Sequence, residues 1–221
     1  MVELNCAGCG IHACRLEPGA KPYPASCPIV LQEEALTSAR ERYTMPTERA
    51  LALAAACTEA AGYCRETRVE EVMSFARRLG ARRLGLAFCI GLFREAAVVR
   101  EVLEAHGFEV RSVCCKVGSI PKEEIGLTDG EKVRPGEYEP LCNPIGQAML
   151  LNEAGTQLNV VVGLCVGHDS LFFRHSQAPV TVLVAKDRVL GHNPVAALYS
   201  SYYRRLREPR EIREKGAPEV R

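Results

Sequence analysis

The chain has 221 residues, which is enough for one main domain with a small appendage but not for two domains of ordinary size. Its 28 basic and 27 acidic side chains nearly cancel, and this excludes the strong positive field of proteins that bind nucleic acid or anionic membranes. No apolar run reaches the roughly 20 residues that span a bilayer, and the N-terminus lacks the pattern of a secretion signal. We therefore expect a soluble, cytoplasmic protein with neither nucleic acid nor a membrane as its partner.

The chain contains eleven cysteines. Because the cytosol keeps thiols reduced, this abundance favours metal ligation or redox chemistry over a disulfide framework. The odd total also argues against complete pairing into disulfides.

The first 30 residues form a block rich in glycine, proline and cysteine, with no helical or strand periodicity. Its cysteines follow a C-x2-C-x4-C-x12-C spacing: Cys6, Cys9, Cys14 and Cys27. Gly8 and Gly10 allow the backbone to curl, so that amide groups can point at the sulfurs. Such a knuckle suits an iron–sulfur cluster, preferably of the 4Fe-4S type, or a structural zinc ion, because four thiolates alone do not choose the metal. Free thiols are a third interpretation, and His12 could replace one cysteine.

Residues 31–80 are predicted to be a helical segment that packs on the main domain. Three helices are expected: one to about Tyr43, one from a Thr47 N-cap to Ala61, and one from the capping-box pair Thr67 and Glu70 to Leu79.

Residues 81–221 alternate short apolar strands with amphipathic helices. Strands are predicted at 84–90, 108–113, 158–166 and 180–185, with helices at 92–105, 143–154, 169–175 and 193–207. This alternation predicts an α/β domain with a parallel sheet, right-handed crossover helices and strands covered on both faces. The Arg- and Glu-rich end from residue 208 is expected to be a frayed, solvated tail.

Several cysteines fall at the predicted carboxyl ends of these strands. They are Cys89 after the first strand, the vicinal Cys114 and Cys115 after the second, Cys142 before a helix start, and Cys165 at the end of the third. Strand ends of a parallel sheet share one edge, so these sulfurs should be neighbours, and helix N-termini beside them favour thiolates. Since vicinal side chains point to opposite faces, one of the pair, for which we take Cys115, should face the site. The pattern predicts a shared metal or redox site, although each cysteine alone could equally be a packed core residue.

Polar side chains follow the third and fourth strands at the same edge. The candidates for contacting or acting on a small molecule are His168, Asp169, Lys186, Arg188 and His192. Asp169 could instead cap a helix, whereas the two histidines could ligate metal, transfer protons or simply face solvent.

Several motifs together resemble a known family. They are the Cys6-x2-Cys9-x4-Cys14 opening, the run Cys142-Asn143-Pro144-Ile145-Gly146-Gln147, and the stretches 163–172 and 186–194. The resemblance is to uncharacterised cysteine-rich proteins, common in anaerobic bacteria and archaea, that usually carry the label metal-binding protein. It implies metal at these cysteines, but it supplies neither a reaction nor a catalytic residue.

These features favour an iron–sulfur metalloprotein, with one four-cysteine site at the N-terminus and a second cysteine cluster at the strand edge. It would act in redox or electron transfer, for example as an oxidoreductase, with a redox partner protein or a small-molecule substrate. The alternatives are a zinc-stabilised enzyme or sensor that uses strand-edge thiols, and a metal carrier without turnover. No glycine-rich dinucleotide fingerprint follows the first strand, so no nicotinamide cofactor is expected. The oligomeric state is left open.

Overall fold

The structure is a computed structural model that describes residues 4–207. The chain divides into two compact units, Met1–Ala61 and Gly62–Arg221. The boundary between them lies inside residues 31–80, for which one helical segment is predicted. The predicted tail from residue 208 lies outside the described residues.

The first unit is built from short elements. Cys6–Gly8 and Ala13–Arg15 each form a single 3-10 turn, and three helices follow: α1 (Pro28–Leu31), α2 (Glu33–Arg42) and α3 (Pro46–Gly62). The predicted Thr47 N-cap is wrong, because α3 already begins at Pro46, whose fixed φ suits the first helical position. Among residues 4–61, the buried ones are Ala13, Ala54 and Thr58. This unit therefore has little apolar core of its own.

The second unit contains the remaining elements. In chain order they are α4 (Arg68–Arg78), β1 (Arg83–Phe88), α5 (Phe93–Ala105), β2 (Glu109–Cys114), α6 (Pro144–Glu153), β3 (Leu158–Val162), α7 (His168–His175), β4 (Val180–Val184), α8 (Ala196–Tyr199) and α9 (Tyr202–Arg207). The predicted capping box is confirmed, since Thr67 and Glu70 bond reciprocally at the start of α4. The predicted single helix over 193–207 is wrong, because extended backbone at Ser200 separates α8 from α9. None of the helices among residues 4–207 is both long and apolar enough to cross a bilayer.

The four strands form one sheet in the order β2-β1-β3-β4, and every pairing is parallel. This confirms the predicted α/β class. In the register of the sheet, Phe88 of β1 lies opposite Cys114 of β2 and Val162 of β3. The chain leaves β1 toward one side to form β2 and returns on the other side to form β3. In parallel sheets, ligands bind outside the carboxyl ends of the two strands where the order reverses, which here are β1 and β3.

Helices cover both faces of the sheet, and alternate strand residues contribute to two core clusters. One cluster joins Leu84, Leu86, Phe88, Leu158, Val160 and Val162 to apolar residues of α4 and α5. The other joins Ala87 and Val161 to Ala148 and Leu151 of α6 and Phe172 of α7. This period of two along strands buried on both sides is the pattern of a parallel sheet between helical layers. The strand ends are therefore carried by a packed scaffold.

The third strand ends earlier than predicted, at Val162 rather than at residue 166. Gly163 adopts a left-handed φ of 65°, and a Cβ placed there would stand 2.0 Å from Cδ1 of Leu92. Only glycine fits this close approach and this backbone conformation. As a consequence, Cys165 does not close the strand but lies in the loop between β3 and α7.

A sulfur-rich crevice at the sheet edge

A crevice of about 1010 Å³ opens at the carboxyl ends of the strands. We call it the strand-edge crevice. Its wall at the sheet is formed by Cys89, Lys116, Cys142, Cys165, His168, Lys186 and Arg188, and its outer wall by residues of the 116–141 loop, among them Lys122, Arg134, Glu137, Tyr138 and Glu139. The crevice thus lies where the carboxyl ends of the four strands meet the starts of α6 and α7.

Two of the crevice sulfurs, those of Cys89 and Cys142, meet a third sulfur, that of Cys115, which is buried in the core cluster with Ala148 and Leu151. The buried Cys115 thiol hydrogen-bonds with the sulfurs of Cys142 and Cys89. The sulfur of Cys115 also accepts a hydrogen bond from the backbone N–H of Ile90 at 3.3 Å. The carbonyl of Cys115 accepts one from the N–H of Asn143 at 2.7 Å, which fixes the residue next to Cys142. We call Cys89, Cys115 and Cys142 the cysteine trio.

The trio separates into two acidic thiols and one that resists ionisation. Hydrogen bonds from Cys115, the His168 imidazole and Lys116 lower the pKa of Cys142 to about 3. Hydrogen bonds from Cys115, the Gly91 N–H and Lys186 lower the pKa of Cys89 to about 5. The pKa of Cys115 is raised, because its proton is shared with Cys142 and Cys89 and its sulfur is buried. These contacts favour the thiolate form of Cys142 and Cys89 and keep the proton on Cys115.

Cys165 brings a fourth sulfur to the crevice from the loop after β3. Its carbonyl accepts hydrogen bonds from the N–H groups of His168 at 3.0 Å and Asp169 at 3.2 Å, which fixes it at the start of α7. Nη2 of Arg188 lies 2.9 Å from its sulfur, and this hydrogen bond raises the pKa of Arg188. The guanidinium therefore holds the Cys165 side chain at the crevice wall.

The vicinal cysteines take different positions. Cys115 belongs to the trio, whereas Cys114, the last residue of β2, packs against both core clusters. Cys115 is thus a buried core residue in contact with two crevice sulfurs, whereas Cys114 is only partly buried between the two clusters.

The predicted polar residues also divide into two groups. His168, Lys186 and Arg188 line the crevice. The Asp169 carboxylate instead accepts backbone N–H bonds from Gly167 at 3.0 Å and Ser170 at 2.8 Å, which stabilises the start of α7. Nδ1 of His192 accepts the N–H of Asp187 at 3.1 Å and holds the turn after β4. These contacts give Asp169 and His192 local structural roles.

Lys116 was not identified as a crevice residue from the sequence. Nor did the sequence predict that the loop after Lys116 is held in a defined conformation. Nζ of Lys116 lies 3.4 Å from the Cys142 sulfur and also donates to the carbonyl of Pro140. The loop is closed by a bridge between Pro121 and Pro140. The signal for Lys116 was its place directly after Cys115, at the same edge of the sheet.

The N-terminal cysteines form a second group, the N-terminal knuckle. Cys6, Cys9, Cys14 and Cys27 line one cavity of about 460 Å³, together with His12. Backbone N–H groups of His12 and Ile11 lower the pKa of Cys9. All four predicted residues thus surround a common space, with sulfurs that are exposed or half-buried.

Within residues 4–207, no group of three or more His, Cys, Asp or Glu side chains has the arrangement that holds a metal ion. Metal at the trio or at the knuckle therefore stays a prediction.

A comparison with protein families matches residues 27–183 to the family described as protein of unknown function DUF1847. The chain belongs to this family. It is also 47% identical, over 163 residues, to the uncharacterized protein MJ0455 of the archaeon Methanocaldococcus jannaschii, a match that covers 74% of this chain and 82% of that protein. No solved structure matches the chain.

The DUF1847 match confirms the predicted membership of an uncharacterised family, and neither description assigns a metal or an activity. The matched stretch contains the trio and Cys165, whereas Cys6, Cys9 and Cys14 precede it.

Proposed function

We propose that this DUF1847 protein is an iron–sulfur redox protein whose cluster occupies the strand-edge crevice. The ligands would be the trio and Cys165. The observation that carries the proposal is the contact of Cys115 with both Cys89 and Cys142, beside a fourth sulfur in the same crevice. Three separate strand ends bring these sulfurs together, and core packing alone does not require cysteines at these positions. The four cysteines therefore form a candidate ligand set.

The surroundings of the sulfurs support this assignment. The N–H of Ile90 donates to Cys115, and Lys116 and Arg188 donate to the Cys142 and Cys165 sulfurs. Thiolates are the form that binds iron, and donors to the sulfurs together with nearby cations stabilise the reduced, more negative state of a cluster. These contacts therefore suit electron uptake as well as ligation.

The role that follows is electron transfer to a small molecule in the crevice or to a redox partner protein, in the reducing cytoplasm. The N-terminal knuckle is proposed as a second four-cysteine metal site, for a 4Fe-4S cluster or zinc, because its four sulfurs border one cavity.

Anaerobic reconstitution with iron and sulfide tests the proposal. Wild type should develop thiolate-to-iron absorption, and both Cys142→Ser and Cys165→Ser should take up about one cluster less. Cys64→Ser is the matched control, because Cys64 is an exposed thiol in the turn after α3. Equal iron uptake by all four proteins, or colourless wild type with stoichiometric zinc, would reject the assignment.

Metal-free thiol–disulfide chemistry is the second candidate, and the contact between Cys115 and the Cys142 thiolate favours it. Forming that disulfide releases two electrons and the Cys115 proton, and glutathione disulfide can accept all three as it is reduced to one glutathione thiol and one glutathione thiolate. Peptide mapping of iron-free protein after mild oxidation should then find a Cys115–Cys142 link. If the same treatment links neither Cys142 nor Cys89 to Cys115, this candidate fails.

A further inference from the structure

The strand-edge crevice leaves room in front of its sulfurs. Its volume of about 1010 Å³ corresponds to the upper end of small-molecule sites, which are about 300–1,000 Å³. The sulfurs lie at the sheet wall, and the 116–141 loop forms the opposite wall. A small molecule could therefore lie between the loop and the sulfurs.

Five cations line this space, and two of them are already paired. Lys122 forms an ion pair with Glu139, and both side chains are largely buried. Arg134 lies 3.5 Å from Glu137, which is its ion-pair partner on the same loop. The loop wall is therefore close to neutral.

The other three cations stand at the sheet wall: Lys116, Lys186 and Arg188. Among residues 4–207, no carboxylate forms an ion pair with any of them. They face sulfurs instead, with Arg188 at 2.9 Å from Cys165 and Lys116 at 3.4 Å from Cys142. In the proposed cluster, the iron offsets part of the negative charge of the thiolates. The positive charge of the three cations then exceeds the negative charge that remains, an inference that rests on the proposed function.

His168 adds an unused polar atom at the same wall. Its imidazole contacts Cys142, and its Nδ1 is buried with no hydrogen-bond partner among the described residues.

We propose that the strand-edge crevice binds an anionic small molecule through its carboxylate or phosphate group. Lys186 and Arg188 follow β4 two residues apart and supply the charge, and the guanidinium fork matches either group with two hydrogen bonds. His168 lines the same wall. The anion is held directly in front of the sulfurs. Anionic small molecules are therefore the substrate class of the proposed redox site.

Thermal unfolding of the full chain tests the anion site with citrate and with pyrophosphate as probes, against sodium chloride at matched ionic strength. At least one probe should raise the unfolding temperature of wild type in a saturable manner. Lys186→Gln and Arg188→Gln should each weaken the apparent Kd by about tenfold to a hundredfold, since each removes a hydrogen bond from a charged group. Arg100→Gln is the matched control, because Arg100 is an exposed side chain of α5 paired with Glu104.

A response to citrate alone assigns a carboxylate ligand, and a response to pyrophosphate alone assigns a phosphate ligand. No saturable rise with either probe, or wild-type affinity in both crevice variants, overturns the proposal. The titration is run on iron-loaded and on iron-free samples of measured iron content. Loaded protein that binds neither probe contradicts the anion site only, whereas protein that takes up no iron but binds a probe contradicts the iron–sulfur assignment only.

Discussion

The two cysteine groups of this chain rest on very different supports. The trio and Cys165 stand at the ends of strands whose side chains fill two buried core clusters. The N-terminal knuckle belongs to a unit in which only Ala13, Ala54 and Thr58 are buried among the described residues. A packed sheet can position sulfurs before any metal arrives, whereas a segment with so little core needs ligation to become ordered. The packed sheet therefore positions the crevice sulfurs, whereas at the knuckle the proposed metal would itself order the segment.

The largest expected effect is on the scaffold beneath the crevice. Phe172 is fully buried in the cluster with Ala148 and Leu151, so Phe172→Ala should lower the free energy of unfolding by about 3–5 kcal/mol. Leu16→Ala, at a position 44% exposed in the first unit, should change it by less than about 0.5 kcal/mol. Urea unfolding followed by circular dichroism measures both. A similar loss from the two substitutions would remove the contrast between the units.

A smaller effect is expected at the turn that leads to Cys165. Gly163→Ala combines a positive φ with overlap against Leu92 and should cost about 1–3 kcal/mol or more. Gly167 also has a positive φ, of 83°, but a Cβ placed there meets no atom within 4 Å, so Gly167→Ala should cost only about 1 kcal/mol. The difference between the two urea midpoints isolates the overlap. Equal midpoints would mean that the close approach does not shape this loop.

The ion pair on the loop predicts a modest pH effect. Lys122 lowers the pKa of Glu139 from 4.5 to about 2. Because the folded pKa is the lower one, the pair stabilises the folded state above pH 4.5, and this stabilisation is lost as the pH falls toward about 2. Wild type should therefore lose more stability than Glu139→Gln between about pH 5 and pH 2 in urea titrations. Parallel curves for the two proteins would show that the pair does not anchor the loop.

The smallest effect on the α/β unit is expected from the knuckle. Cys6→Ser and Cys9→Ser should each lose the metal of one site and expose residues 1–30 to protease, with no change in the unfolding of the second unit. Limited proteolysis with mass spectrometry, beside metal analysis, gives both readouts. Unchanged metal content and protection in both variants would reject a metal at the knuckle, and destabilisation of the second unit would break the comparison.

Sequence alone predicts most of the fold because its signals are local. The signals for the continuously buried strand β1, for the Thr67 capping box and for the Asn143 cap of α6 each lie within a few residues of sequence. The early end of β3 was missed, because the constraint at Gly163 comes from Leu92, a residue distant in sequence. The helical character of 193–207 was predicted, but the break at Ser200 between α8 and α9 was missed.

The cysteines of the candidate site could be predicted as neighbours from topology, since parallel strands end at one edge. Hydrogen-bond partners could not be predicted in the same way. His192 had the same standing in the sequence as His168, and Asp169 was also a candidate helix cap, yet the side chains of both Asp169 and His192 bond to the nearby backbone. Lys116 went unrecognised because its contact with Cys142 depends on how the intervening loop closes.

An anaerobic crystal structure of the iron-reconstituted protein, with anomalous data at the iron edge, tests the central claim most directly. We expect an iron peak enclosed by the sulfurs of Cys89, Cys115, Cys142 and Cys165, with Lys116 and Arg188 still beside the cluster. Iron absent from the strand-edge crevice of fully loaded protein, with the trio still joined by hydrogen bonds through Cys115, would contradict it.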